Sequence, residues 1–262
     1  MKALITGASS GIGRDMARYL NSLGIDLILV ARDEEKLENL QKELKGNVKI
    51  YGYDLSVQQE VFDLYDMVKS KNIDILINNA GFGLFGEFSK TDLETELKMI
   101  NLNVCAYHIL TKLFLQDFIK KDAGYILNVC SSAGFMAGPR LSTYYSTKNY
   151  CLKLTMAIYE ELRRMSSNVH ISALCPGPVN TNFNKVAHGE FKIKGASSSY
   201  VAKYAIDSMF KNKLLIIPKI SVKIGLFLQR FLPYKLDLKI IYNIQYRKEK
   251  NFNNKKRGKS VI

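Results

Sequence analysis

At 262 residues with a 47% hydrophobic composition, the chain is long enough to bury one large α/β core, which removes any need for disulfide or metal staples. Its formal net charge of +14 is lopsided: residues 211–262 hold 14 Lys and Arg against Asp237 and Glu249, a net of +12, so the first 210 residues carry only +2. Basicity is thereby excluded as a property of the main body and assigned to a C-terminal extension with its own purpose.

Short apolar runs alternate with helix-period segments from the first residue to about 217, the pattern of a parallel sheet covered by helices. Strands are predicted near 2–6, 26–30, 48–52, 74–77, 124–130, 169–175 and 214–217, with helices over 12–23, 33–45, 57–70, 92–120, 143–165 and 200–210. This alternation predicts an α/β doubly wound (Rossmann-type) seven-stranded parallel sheet with helices on both faces. Such folds bind ligands beyond the carboxyl ends of their strands. The first strand starts at Lys2, which leaves no room for a signal peptide and predicts a reducing, cytoplasmic setting.

After that strand comes Thr6-Gly7-Ala8-Ser9-Ser10-Gly11-Ile12-Gly13 and then an amphipathic helix. Glycine at 7, 11 and 13 permits a tight turn, a close backbone approach to a pyrophosphate and close packing of helix on strand. The pyrophosphate would rest on the helix N-terminus, where free N–H groups favour negative charge. The second strand ends at Ala31-Arg32, where an NAD site places an acidic side chain on the ribose 2′-hydroxyl. A guanidinium suits a 2′-phosphate, so NADP(H) is favoured over NAD(H), with Arg14 as a second candidate contact. Asp33 leaves two alternatives open, since it can turn to the ribose or pair with Arg32, and Arg32 can equally be an exposed charge opening the next helix.

Ser142-Thr143-Tyr144-Tyr145-Ser146-Thr147-Lys148 opens the helix over 143–165. Residues four apart share a face, so Tyr144 and Lys148 are neighbours. A free phenol is a poor base near neutrality, and a cation a few ångström away favours its ionised form. Ser131, at the carboxyl end of the strand Tyr125–Cys130, can offer its hydroxyl to a substrate oxygen beside that phenol. Rivals exist for both assignments, Tyr145 for Tyr144 and Ser132 for Ser131; Asn103, inside the helix over 92–120 where an asparagine is mildly unfavourable, invites a reason and has Asn101 as its nearest rival. Cys105, Cys130, Cys151 and Cys175 form no close pair and sit in apolar stretches, so they are expected as free core thiols. His108, His170 and His188 show no metal spacing, and no metal site is predicted.

Taken together, Thr6 to Gly13, Asp54 after the third strand, Asn78-Asn79-Ala80-Gly81 after the fourth, Asn103, Ser131, Tyr144 with Lys148, and Pro176-Gly177-Pro178-Val179-Asn180-Thr181 after the sixth resemble the short-chain dehydrogenase/reductase family in order and spacing. The resemblance covers about residues 1–217, and Asn78 to Gly86 are similar to a bacterial branch of general short-chain reductases. It implies that Tyr144 is the general acid in reduction and the general base in oxidation. Lys148 is implied to hold the nicotinamide ribose and favour the phenolate, Ser131 to orient a carbonyl, and Asn103 to support a water joining Lys148 to solvent. Gly7, Ser9, Ser10, Gly11, Ile12 and Gly13 are implied to hold the cofactor phosphates and Asp54, with Leu55 in the same site, its adenine. Asn78, Ala80 and Gly81 are implied to line the cofactor cleft, and Pro176, Gly177, Val179 and Thr181 to meet the nicotinamide end. A small-molecule carbonyl or alcohol as substrate, and a homodimer or homotetramer with contact faces at 92–120 and 143–165, are implied likewise.

The segment from Asn182 to Ser199 lacks helical periodicity, which leaves a mobile loop over the cleft and an ordinary surface loop both open. Residues 1–218 are predicted as the catalytic domain and 219–262 as the extension. Within the latter, two amphipathic helices are expected on either side of Pro233, followed by a disordered tail from Lys248 to Lys259. Three uses of the extension stay open: packing over the substrate cleft, lying on an anionic membrane at the inner face, and binding nucleic acid, the least favoured because no reading module is present. A non-catalytic dinucleotide sensor or membrane-associated scaffold is the alternative to an enzyme.

Overall fold

The structure, a computed structural model, describes residues 1–181, Phe183, Ala187 and 195–259. The alternation runs β1 (Lys2–Thr6), α1 (Gly11–Ser22), β2 (Asp26–Ala31), α2 (Glu34–Glu43), β3 (Val48–Gly52), α3 (Gln58–Val68) and β4 (Ile75–Asn78). It continues with α4 (Leu93–Ile100), a π-helical segment (Asn101–Ala106), α5 (Tyr107–Lys120), β5 (Gly124–Val129), α6 (Ser142–Arg164) and β6 (Val169–Leu174). Then come the short pair β7 (Val179–Asn180) and β8 (Ala196–Ser197), α7 (Ser198–Met209) and β9 (Leu215–Ile216). The extension forms α8 (Ile220–Gln229) and α9 (Tyr234–Lys259).

Seven strands pair in the order β3-β2-β1-β4-β5-β6-β9, every neighbour parallel. The order reverses between β1 and β4, and a crevice opens there at the carboxyl edge. Successive strand residues point to opposite faces, and both faces are covered. Ala3, Ile5, Leu27 and Leu29 pack with Met16, Leu20 and Leu37, and with Val201 and Ile206 of α7. Leu4, Ile28, Leu76 and Ile126 pack on the other side with Leu64, Leu110, Phe114, Ile158 and Leu162. Burial on both sides explains why the strands read as continuous apolar runs instead of alternating ones.

Four features differ from the sequence reading. The helix expected over 92–120 is interrupted by the π-helical turn at Asn101–Ala106, which periodicity cannot reveal because the apolar positions run on through it. Most of the segment 182–199 lies outside the described residues, but its end is regular. There β8 pairs with β7, and the Ser197 side chain caps α7 by accepting from the Tyr200 amide at 3.3 Å, which starts that helix two residues early. The tail expected to be disordered from Lys248 continues α9 to Lys259; Lys, Glu and Arg are good helix formers and the stretch has no proline. Cys130, Cys151 and Cys175 are buried, whereas Cys105 is half-buried, since it lies on the π-helical segment at the edge of the core. Pro233 separates α8 from α9 as expected.

Phe114 is fully buried and meets Tyr65 edge-on at 5.5 Å, joining α5 to α3. Phe114→Ala should cost about 3–5 kcal/mol and lower the thermal midpoint by roughly 10 °C, measured by differential scanning calorimetry. A midpoint within about 2 °C of the parent would show that this packing is not limiting.

Candidate active site

The glycine turn is shaped by contacts that only hydrogen allows. Gly7 and Gly11 hold φ of +65° and +56°, conformations costly for a side chain. A Cβ on Gly13 would stand 2.4 Å from Asn79 Nδ2 and 2.5 Å from the Gly7 carbonyl oxygen. Asn79 Nδ2 donates to the carbonyls of Thr6 and Gly7 at 3.0 Å each, and Thr6 Oγ1 accepts from the amides of Asn79 and Ala80 at 3.0 and 3.1 Å. Thr6 and Asn79 thus lock the turn to the end of β4, positioning roles that the sequence reading did not assign them. Ser10 begins α1 with extended backbone and no side-chain cap, leaving first-turn N–H groups to face an anion. Across the cleft, the Thr181 methyl lies 3.1 Å from where a Gly11 Cβ would be.

At the end of β2 Asp33 bonds locally and not to Arg32. Asp33 caps α2, accepting from the Lys36 amide at 3.0 Å and pairing with the Lys36 ammonium; these bonds lower its pKa. Arg32 is left largely exposed and 3.7 Å from Asp54. Burial of Asp54 works against its charge, but hydrogen bonds from Ser56 and the Arg32 cation outweigh it and hold the carboxyl below the usual range. Asp54 Oδ1 accepts from the Ser56 amide at 3.0 Å and hydroxyl at 2.8 Å, with buried Leu55 between them.

Asn78 is buried, and its amide donates to Thr111 Oγ1 and Asn128 Oδ1 at 3.0 Å each. Asn128 in turn donates to Thr155 at 3.1 Å, so the side chain of Asn78 ties β4 to β5, α5 and α6 beneath the cleft. The cleft floor itself is Ala80 and Gly81. A Cβ on Gly81 would stand 2.9 Å from Asn103 Oδ1 and 3.5 Å from Lys148 Nζ, which places those two side chains against the same backbone.

Asn103 sits in the π-helical turn, 1% exposed, while its rival Asn101 faces solvent. Single-turn π segments recur at functional sites because they re-aim one residue of a helix. Here the Asn103 side chain pairs with the Phe82 backbone, accepting from its amide at 3.1 Å and donating to its carbonyl at 2.9 Å. It also donates to Thr147 Oγ1 at 3.1 Å.

Tyr144 and Lys148 lie one turn apart on α6 and on the same side, with Lys148 Nζ 6.0 Å from the Tyr144 ring centre. Lys148 is buried, and its ammonium donates to the Val129 carbonyl at 2.9 Å. Ser131 follows two residues after Val129. Its Oγ accepts from the Ala133 amide at 3.1 Å, which occupies a lone pair and leaves the hydroxyl proton to be donated. The next turn is held to α6 by Asn149, whose Nδ2 donates to the carbonyls of Ala133, Met136 and Tyr145 at 3.1, 2.8 and 2.9 Å. Nothing in the spacing announced Asn149 as the clamp between the two halves of the site.

The rival Tyr145 is engaged elsewhere. Its hydroxyl meets the Gln245 amide of α9, its ring lies over Gly138, and burial together with Tyr144 pushes its pKa well up. Ser132 is held by its amide to the Pro176 carbonyl at 2.9 Å, which docks the turn after β6 beside Ser131. Gly177 packs under Val222 of α8, and Val179 pairs with Ala196. Tyr144 also contacts Phe183 at 5.2 Å between ring centres. Arg14 pairs with Asp15 at 3.4 Å. Among the described residues no cluster of His, Cys, Asp or Glu could hold a metal ion; His108 bonds Tyr150 at 2.7 Å, the His170 ring lies tilted against Tyr125 at 5.4 Å between centres, and His188 lies outside the described residues.

Comparison with known proteins agrees with this arrangement. Residues 1–190 match the family described as short chain dehydrogenase. The chain is 30% identical over 192 residues to the very-long-chain 3-oxoacyl-CoA reductase of Homo sapiens, covering 70% of this chain and 61% of that one. The chain therefore spans less than two thirds of that relative's length. A short-chain dehydrogenase from Sphingobium yanoikuyae solved in complex with NADPH superposes with a TM-score of 0.79 at 26% identity, covering 88% of this chain and 96% of that one. A short-chain dehydrogenase/reductase from Burkholderia phymatum in complex with NAD shares the fold at a TM-score of 0.79 and 23% identity, over 87% and 92% of the two chains. By these matches the chain belongs to the short-chain dehydrogenase/reductase family.

Proposed function

We propose that this enzyme interconverts a small-molecule carbonyl and the corresponding primary or secondary alcohol with NADP(H), running chiefly toward reduction. The observation that carries the reading is the Tyr144 phenol and the buried Lys148 ammonium on one face of α6 beside a cleft walled by glycine.

The residues present fit a dinucleotide. Gly7 and Gly13 let the turn pack closely against Asn79 and Ala80 while Gly11 faces Thr181, and Ser9, Ser10 and Ile12 complete the turn that would hold its phosphates. Asp54 and Leu55 would flank the adenine. Ala80 and Gly81 would line the middle of the cleft, and Pro176, Gly177, Val179 and Thr181 its far end. When bound, the cofactor supplies the hydride. The protein's own groups then do the rest. Ser131, its lone pair already occupied by the Ala133 amide, donates to the carbonyl oxygen and stabilises charge growing there. Tyr144 delivers the proton to that oxygen, and Lys148 one turn away offsets the phenolate left behind. Asn103 fixes the Phe82 backbone against the Lys148 side of the cleft. Hydrogen bonds arranged before the substrate arrives need no reorganisation at the moment of transfer.

Exposed Arg32 at the end of β2, with Asp33 committed to capping α2, supports NADP(H) as the preferred form. The body over residues 1–218 carries the chemistry. Helix α9 would cover part of the cleft: it reaches Tyr145 through Gln245 and Arg140 through Tyr242 and Tyr246, whose rings lie 5.8 and 5.2 Å from the guanidinium. The enzyme works in the cytoplasm as a homodimer or homotetramer, through the faces of α4, α5 and α6 where Leu93, Leu97 and Tyr150 are exposed.

Two substitutions test this reading. Tyr144→Phe should lower kcat by about 10²–10⁴-fold in NADPH oxidation assays across aldehydes, ketones and 3-oxoacyl compounds, with cofactor affinity by fluorescence titration nearly unchanged; turnover at the parental rate overturns the role. Arg32→Ala should raise KM for NADPH by about ten- to hundredfold and leave KM for NADH nearly as it was. Equal effects on the two cofactors would remove the 2′-phosphate contact.

A further inference from the structure

The extension exposes its apolar residues instead of burying them. In α8, no residue is buried. Ile220, Ile224, Phe227, Leu228 and Phe231 follow a helical stripe that faces solvent, with exposures of 76% at Ile220, 57% at Phe227 and 71% at Phe231. The inward stripe is the half-buried set Val222, Leu226 and Gln229, with Val222 seated on Gly177. In α9 the inward residues are Ile241 and Gln245, both buried, while Leu236, Ile240 and Ile244, spaced four apart, are exposed with Tyr234. An apolar stripe turned to solvent is surface without a partner, and patches of this kind mark an interaction surface.

Charge identifies the partner. From Lys219 to Arg247 the same two helices carry Lys219, Lys223, Arg230, Lys235, Lys239 and Arg247 against Asp237 alone, and Asp237 is bonded by the Gln229 amide at 2.9 Å. A second copy seated on this face by two-fold symmetry would bring the same cations against themselves. A nucleic acid would use the cations and leave the four large exposed apolar side chains of α8, and Phe231 just after it, wet. Apolar stripe and flanking Lys and Arg together suit a lipid surface bearing negative headgroups, where acyl chains take the first and phosphates the second. No helix among the described residues is long and apolar enough to cross a membrane, so the contact is peripheral.

We propose that α8 and the first half of α9 form a docking face for an anionic bilayer, with the Ile220–Phe231 stripe and the Leu236–Ile244 stripe entering the headgroup boundary. Because α8 rests on Gly177 and α9 on Tyr145, docking sets the cleft mouth beside the lipid.

The test is flotation of the full-length protein with vesicles of phosphatidylcholine alone and of phosphatidylcholine with phosphatidylglycerol. Binding is expected only to the second, and to weaken with salt. Phe227→Ser with Phe231→Ser should lower the partition coefficient at least about tenfold, and Lys223→Gln with Arg230→Gln roughly 20-fold. Both variants should keep NADPH oxidation with a water-soluble carbonyl, which shows that they fold. Tyr144→Phe should keep vesicle binding, so loss of the catalytic reading and loss of this one are told apart. An active protein that ignores anionic vesicles overturns the proposal. So does a dimer in sedimentation equilibrium that Phe227→Ser with Phe231→Ser dissociates while vesicles stay unbound, which gives the face to a second copy. Retention on duplex DNA without vesicle binding gives it to a polyanion and overturns the proposal equally.

Discussion

The site is organised around one buried ammonium. A lysine taken out of water is costly unless its charge finds partners, and Lys148 meets this by donating to the Val129 carbonyl at 2.9 Å. That single bond anchors α6 to the carboxyl end of β5, which fixes where Tyr144 stands relative to Ser131. It also explains Gly81, where any Cβ would press on Asn103 and approach the ammonium. Helix, strand and cleft floor therefore converge on the same charge.

Around that bond the structure spends polar side chains on holding backbone. Asn149 binds three carbonyls across the Ser131 turn and α6, Asn79 binds two across the glycine turn, and Asn103 pairs with Phe82 like a strand. Asn78 and Asn128 tie the sheet to α5 and α6 from beneath. Each satisfies a backbone or side-chain group that loops at a sheet edge would otherwise leave unpaired. The consequence is a cleft whose backbone is held by hydrogen bonds formed within the protein itself.

The extension joins this frame at its rim. Gln245 meets Tyr145, the residue beside Tyr144, and Arg140 lies against Tyr242 and Tyr246. One hundred residues of sequence separate Tyr145 from Gln245, yet they share one hydrogen bond. The same helices turn apolar stripes outward, so a segment that reads as an appendage both walls the cleft and presents a surface.

Much of this was legible in the chain alone. The apolar runs located all seven strands of the main sheet because a parallel strand buried on both faces leaves a continuous hydrophobic signature. Gly7, Gly11 and Gly13, and the four-residue spacing of Tyr144 and Lys148, were readable because turn geometry and helical periodicity are local properties. Local rules also explain the failures. The π-helical turn at Asn103 leaves the apolar pattern intact, and the helical continuation to Lys259 overrode a composition that suggested disorder. What only the tertiary structure decided were pairings across long sequence distances: Asn149 with the Ser131 turn, Asn79 with Gly7, Gln245 with Tyr145, and which face of α8 meets water. Hydrogen bonds and burial are settled by which surfaces meet in space, whereas periodicity records only what each segment can offer.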